Sequence, residues 1–158
     1  MAGRMHRYEA KLVWTGGKDP SAPFRKHDRS YDLNVDGKPT ISGSSDVAFR
    51  GSKSRWNPED LMVAAISACH HLWYMGLCAA AGIVVRTYED AADGTMEEEA
   101  DGAGQFVRVT LRPRVTLAPG ADAQRALALH QTAHEKCFIA RSVNFPVEQS
   151  PVVEIADA

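Results

Sequence analysis

Asn57 to Gly82 reads NPEDLMVAAISACHHLWYMGLCAAAG, and the way this run folds decides what the rest of the chain must do. Asn57 is suited to cap a helix, Pro58 to its first turn, and Glu59 and Asp60 to the positive end of its dipole. Good helix formers continue to Gly82, which can close the helix in the left-handed conformation. The segment is apolar on nearly every side, which predicts a helix buried in a core. Cys69 sits in its middle, followed directly by His70 and His71.

The flanking sequence reads as the material that wraps this helix. Tyr8 to Thr15 is rich in β-formers and predicts a strand, followed by a loop from Gly16-Gly17 to Pro23. Ser30 to Val35 alternates and ends at Asp36-Gly37, a hairpin signal, with Lys38 to Ile41 as the return strand. Ser42 to Trp56 has little periodicity and carries Arg50, Lys53 and Arg55, so it reads as a polar loop entering the helix. Beyond Gly82, Ile83 to Ala91 predicts a strand broken by Asp93-Gly94, and Glu97 to Gly104 an acidic turn. Gln105 to Leu117 alternates strongly and is the clearest strand, with Pro113 marking an edge or a bulge. Asp122 is placed to cap a second helix over Ala123 to Cys137. Val143 to Pro146 connects to a last strand, Val147 to Ile155, despite Pro151. The order predicts an α+β domain in which antiparallel sheet packs on helices.

The chain has 158 residues, which fits one domain, 1–158, with a core of its own. Its 18 Lys+Arg against 20 Asp+Glu make no field that would recruit nucleic acid or an anionic membrane. MAGRMHRYEA has basic residues with no apolar run behind them, so no secretory signal is expected. Three cysteines at wide spacing argue against a disulfide scaffold and for a reducing cytoplasm. Leu61 to Val85 is long enough to span a bilayer, but Ser67, His70 and His71 would lie near its middle. No second span exists to shelter them, so a soluble core helix is the expectation.

Cys69 and Cys78 share one helix, roughly 13 Å apart along its axis and beyond disulfide reach. Cys78 lies among Leu77, Ala79 and Ala80 and reads as a small buried hydrophobe. Cys69 and Cys137 fall on different helices, and spacing alone leaves open whether they meet. On pattern alone a buried structural Cys69 is the better-supported reading, ahead of a reactive one. Arg50, Lys53 and Arg55 read as solvated charges, or as a basic loop that favours a thiolate. His70 and His71 would point about 100° apart on a helix, which suits separate packing or hydrogen-bonding roles. The competing reading has them hold a metal with Cys69 and the His134-x-x-Cys137 pair, but spacing of the CxxC…CxxC kind is absent. His6, His27 and His130 show no cluster.

The stretch Asn57-Pro58-Glu59-Asp60-Leu61, then Ala64-Ala65 and Ser67-Ala68-Cys69, resembles the OsmC/Ohr family of thiol-dependent hydroperoxide reductases. A cysteine closing the later helix, Ala133-His134-Glu135-Lys136-Cys137, is similar to the family's second motif. Departures mark a divergent subgroup: His70-His71 follow the first cysteine, Phe138 the second, and Arg55-Trp56 precede the NPE motif. The resemblance implies an OsmC-like α+β fold, with sheets wrapped around a long central helix and two chains intertwined as a homodimer. It implies a hydroperoxide substrate, Cys69 as the peroxidatic thiol, Cys137 as the resolving one, and an external dithiol as reductant. Glu59 would orient a catalytic arginine, either Arg50 or Arg29, while Trp56 and Trp73 would build an apolar substrate pocket. No metal or organic cofactor is required. Glu59 and Cys69 lie roughly 15 Å apart along one helix. Two such helices packed antiparallel would bring Glu59 of one chain towards Cys69 of the other, giving sites that need the dimer. The alternatives on the same fold are a binding or metal-holding protein using Cys69, His70 and His71, and a structural homodimer without chemistry.

Overall fold

The computed structural model describes residues 3–17 and 28–157. His27 and residues 18–23 of the expected loop lie outside them. The chain divides into two compact units, Met1–Leu61 and Met62–Ala158.

In the first unit, strands β1 (Lys11–Trp14), β2 (Tyr31–Asn34) and β3 (Ile41–Gly43) form an antiparallel sheet in that order. The β2–β3 turn falls at Asp36-Gly37 as expected, with Gly37 at φ 71° and the Lys38 N–H donating to the Val35 carbonyl at 3.1 Å. The return strand starts at Ile41, later than expected, because Pro39 has no N–H to give the ladder. The basic loop is tied at its neck: Ser44 N–H donates to the Trp56 carbonyl at 2.8 Å, and Trp56 N–H to the Ser42 carbonyl at 3.2 Å. Inside it, a 3-10 turn at Val47–Phe49 is capped by Asp46 and ends on Arg50.

Helix α1 (Pro58–Ala80) starts as the sequence predicts, with the Asp60 N–H donating to Asn57 Oδ1 at 2.6 Å. Gly82 at φ 72° ends it, and the Ile83 N–H reaches back to the Cys78 carbonyl at 2.9 Å. Burial departs from expectation. Only Ile66, His70, Tyr74 and Cys78 are buried, one stripe at a spacing of four, while Leu72 is 70% exposed. A helix apolar all round is thus covered within this chain on a single face. It is long and apolar enough to cross a membrane, yet two of its polar side chains are bonded inside the fold. Ser67 Oγ donates to Asp90 Oδ2 at 2.5 Å, and His70 pairs with His130.

The second unit continues with β4 (Val85–Asp90), β5 (Asp93–Glu98), β6 (Gly104–Leu111), β7 (Pro113–Leu117), α2 (Ala123–Lys136), β8 (Val147–Gln149) and β9 (Val152–Ile155). Two sheets result, ordered β4-β7-β9 and β5-β6-β8. Asp93-Gly94 opens β5 instead of breaking a strand, and the acidic stretch is strand through Glu98 before turning at Gly102. Every β5 side chain is exposed, so its pairing with β6 left no apolar signal of its own. The expected strand Gln105–Leu117 is two strands, divided at Arg112 before Pro113. Asp90 holds that corner, accepting from the Arg112 N–H at 2.7 Å, while the Arg112 side chain pairs with Asp93. The last strand is likewise split at Pro151, β8 running parallel to β6 and β9 parallel to β7. One core cluster gathers Tyr74, Cys78, Val115, Leu117, Ala126 and Ala133; the other gathers Ile66, Val109 and Leu111.

Candidate active site

Helix α2 is capped by Asp122, which accepts from the Arg125 N–H at 2.9 Å, and it ends with Cys137 as its last capping residue. Cys137 is fully buried; its sulfur accepts from the Ala140 N–H at 3.4 Å, and the Cys69 thiol is near enough to act on its titration. Burial, with a smaller push from Cys69, drives the Cys137 thiol up to about 11, against the weaker pull of the Ala140 and Ile139 amides. It is therefore protonated at neutral pH. Cys69 is only half-buried, so a reagent can approach it from solvent. Among the described residues both are free thiols, as is Cys78, which is buried in the first core cluster and whose thiol burial also pushes up.

Trp73 stands one turn beyond Cys69 on α1. Its ring meets the Phe138 edge at 5.6 Å between centroids, with the Lys136 ammonium 5.7 Å above it. Phe138 is 68% exposed, so an apolar surface borders the Cys137 end of α2. His71 packs edge-on against Tyr88, while His70 turns into the core to face His130. The two neighbours thus serve separate contacts. Spacing placed His130 in no cluster, and the fold corrects this, because the pairing is a helix–helix contact that sequence distance cannot report. Among the described residues, no group of three or more His, Cys, Asp or Glu is placed to hold a metal.

The other candidates lie in the first unit. Glu59 Oε2 is buried without a hydrogen-bond partner among the described residues, and the Glu59 charge, after burial, helps raise the Tyr31 hydroxyl above its ordinary value. Tyr31 was not visible as a site residue, since its strand alternation explains it fully. Arg55 is not a solvated loop charge: it pairs with Asp32 at 3.8 Å, and Asp32 also accepts from Ser42 Oγ at 3.1 Å. Arg29 is half-buried just before β2, and Trp56 is half-exposed beside the neck of the loop. Arg50 is exposed and is the one non-glycine residue with positive φ, 65°, among the described residues. Left-handed backbone disfavours any side chain, and strain of this kind gathers at functional positions. Arg50→Gly is expected to raise unfolding stability by about 0.5 kcal/mol in urea titration, the relief being offset in part by glycine's unfolded-state entropy. An unchanged or lowered midpoint would mean that the arginine side chain compensates the strain.

An α+β scaffold that sets two free thiols against one another across its two helices is the class of protein these features define. The chain belongs to the OsmC family, whose model, described as OsmC-like protein, matches residues 51–150. It is similar to an OsmC-like protein of unknown function from Vibrio cholerae, at 28% identity and TM-score 0.84, over 94% of this chain and 100% of that one. An organic hydroperoxide resistance protein from Elizabethkingia anophelis shares the fold at 20% identity and TM-score 0.68, over 97% and 100% of the two chains. Another, from Legionella pneumophila, does so at 16% identity and TM-score 0.64, over 95% and 99%. No curated protein matches the sequence.

Proposed function

We propose that this chain is a thiol-dependent peroxidase that reduces hydroperoxides, organic ones in particular, through a Cys69 sulfenic acid and a Cys69–Cys137 disulfide. The observation that carries the reading is the contact between those two thiols. In the first step the Cys69 thiolate attacks one peroxide oxygen: an S–O bond forms, the O–O bond breaks, and the departing alkoxide takes a proton to leave as alcohol. The Cys137 thiol then attacks the sulfenic sulfur, the disulfide forms, and the hydroxyl leaves as water with the Cys137 proton. An external dithiol reduces the disulfide by exchange and is itself oxidised. The division of labour follows from placement, since the half-buried sulfur meets substrate and the buried, protonated one waits for the sulfenic acid. Arg50 or Arg29 offers donors to the oxygen on which charge develops, with Glu59 orienting it. Trp73 and Trp56 supply apolar walls.

The active form in this reading is a homodimer in a reducing cytoplasm. Two features support the dimer: the exposed apolar face of α1 around Leu72, and the buried Glu59 oxygen that has no donor among the described residues. Mass spectrometry after one equivalent of hydroperoxide tests the cycle. The wild type should lose two hydrogens, mapped to Cys69 and Cys137, and Cys137→Ser should instead gain one oxygen on Cys69. A disulfide to Cys78, or no change of mass, would overturn it.

A further inference from the structure

The peroxide cycle uses neither of the two imidazoles buried at the helix crossing. His70 Nε2 and His130 Nδ1 stand 3.0 Å apart, their rings inclined by 7°, and each residue is 1% exposed. Tyr74 stacks on His130 with centroids 3.8 Å apart. The outer nitrogens, His70 Nδ1 and His130 Nε2, are buried without partners among the described residues, so the pair is poor material for stability and an apolar pair of the same shape would serve better. What a hydrogen bond adds over apolar packing is direction: it forms in one register, whereas packed hydrocarbons tolerate sliding.

The pair sits where register matters. On α1, His70 adjoins Cys69; on α2, His130 precedes Cys137 by two turns, or about 10 Å along the axis. The imidazole bond is thus a directional tie between the two helices, set two turns along α2 from the thiols that the redox step must join. Apolar packing of Ala126 and Ala133 holds α2 to the core without fixing its register on α1. The His70–His130 bond supplies that register.

We infer that His70 and His130 are positioning residues that hold Cys69 and Cys137 at bridging distance through their mutual hydrogen bond. This rests on the redox reading above. A loosened crossing must be ordered again each time the disulfide forms, so the effective concentration of one thiol at the other falls and the bridge becomes easier to reduce.

The test is the thiol–disulfide exchange equilibrium of the full chain with glutathione. His70→Phe and His130→Phe keep the ring and remove the bond. Each should lower the effective concentration about tenfold, a shift of about 30 mV towards more positive potential. The double variant should shift no further than either single one, because one bond is lost in all three. His130→Asn, which keeps a hydrogen-bonding atom near the Nδ1 position, and His70→Gln, which does so near Nε2, should restore most of the wild-type value. Val109→Ala, in the other core cluster, should lower stability and leave the equilibrium in place. Phe variants that bridge as readily as wild type, or a Val109→Ala shift as large as theirs, overturn the inference alone. A wild type that forms no Cys69–Cys137 bridge overturns the proposed function and this inference with it.

Discussion

Cys69→Ser is expected to lower hydroperoxide turnover at least about a thousandfold, since a serine hydroxyl is not ionised near neutral pH and forms no sulfenic acid. Cys78→Ser should stay within about twofold of wild type, because that thiol packs in the core and takes no part in the cycle. Cys69→Ser also probes the assembly. Mixed and refolded with Glu59→Ala, expected to be inactive on its own, it should form dimers in which Glu59 of one chain meets Cys69 of the other. At equal amounts half of the dimers are mixed and each has one intact site, so about a quarter of wild-type turnover should return. Recovery of nothing, with mixed dimers present by mass, would place Glu59 and Cys69 of one site in one chain. Activity left in Cys69→Ser would remove the peroxidatic role altogether.

Legibility in the sequence followed range. Asn57, Pro58 and Gly82 act through bonds a few residues long, and α1 begins and ends where they place it. Asp122 fixes the start of α2 in the same way. Proline was legible as a disturbance but not in its consequence. Pro113 and Pro151 each divide a strand between two sheets, and which sheet receives each half depends on partners far along the chain. β5 was missed because a fully exposed strand carries no alternation. At the site, spacing separated Cys78 from the other thiols, but only packing of α1 on α2 brings Cys137 to Cys69. The same packing made a pair of His70 and His130, sixty positions apart and unremarkable one at a time.

That pair should also make the fold acid-sensitive. Burial, well ahead of any charge, holds the His70 imidazolium down to about 4 and that of His130 to about 3, against an ordinary value of 6.5. The groups acting on His70 are Asp90, which favours its charged form, and His134 and His71, which oppose it; His130 answers to His70. Both folded values lie below the unfolded one, so this contribution is complete above pH 6.5 and drains away as pH falls towards 4 and then 3. The expected loss between pH 7 and pH 4 is about 3 kcal/mol of unfolding free energy for each ring and about 6 kcal/mol for the pair, measured by urea titration at each pH. Carboxylates lose stability over an overlapping range, so the measurement needs a reference that keeps them all. His70→Phe/His130→Phe is that reference: it retains every acidic group and removes both buried bases, and its pH dependence should be shallower by the same amount. If wild type and double variant lose stability in parallel, the rings are already charged or already wet in the native protein, and the buried neutral pair does not govern its response to acid.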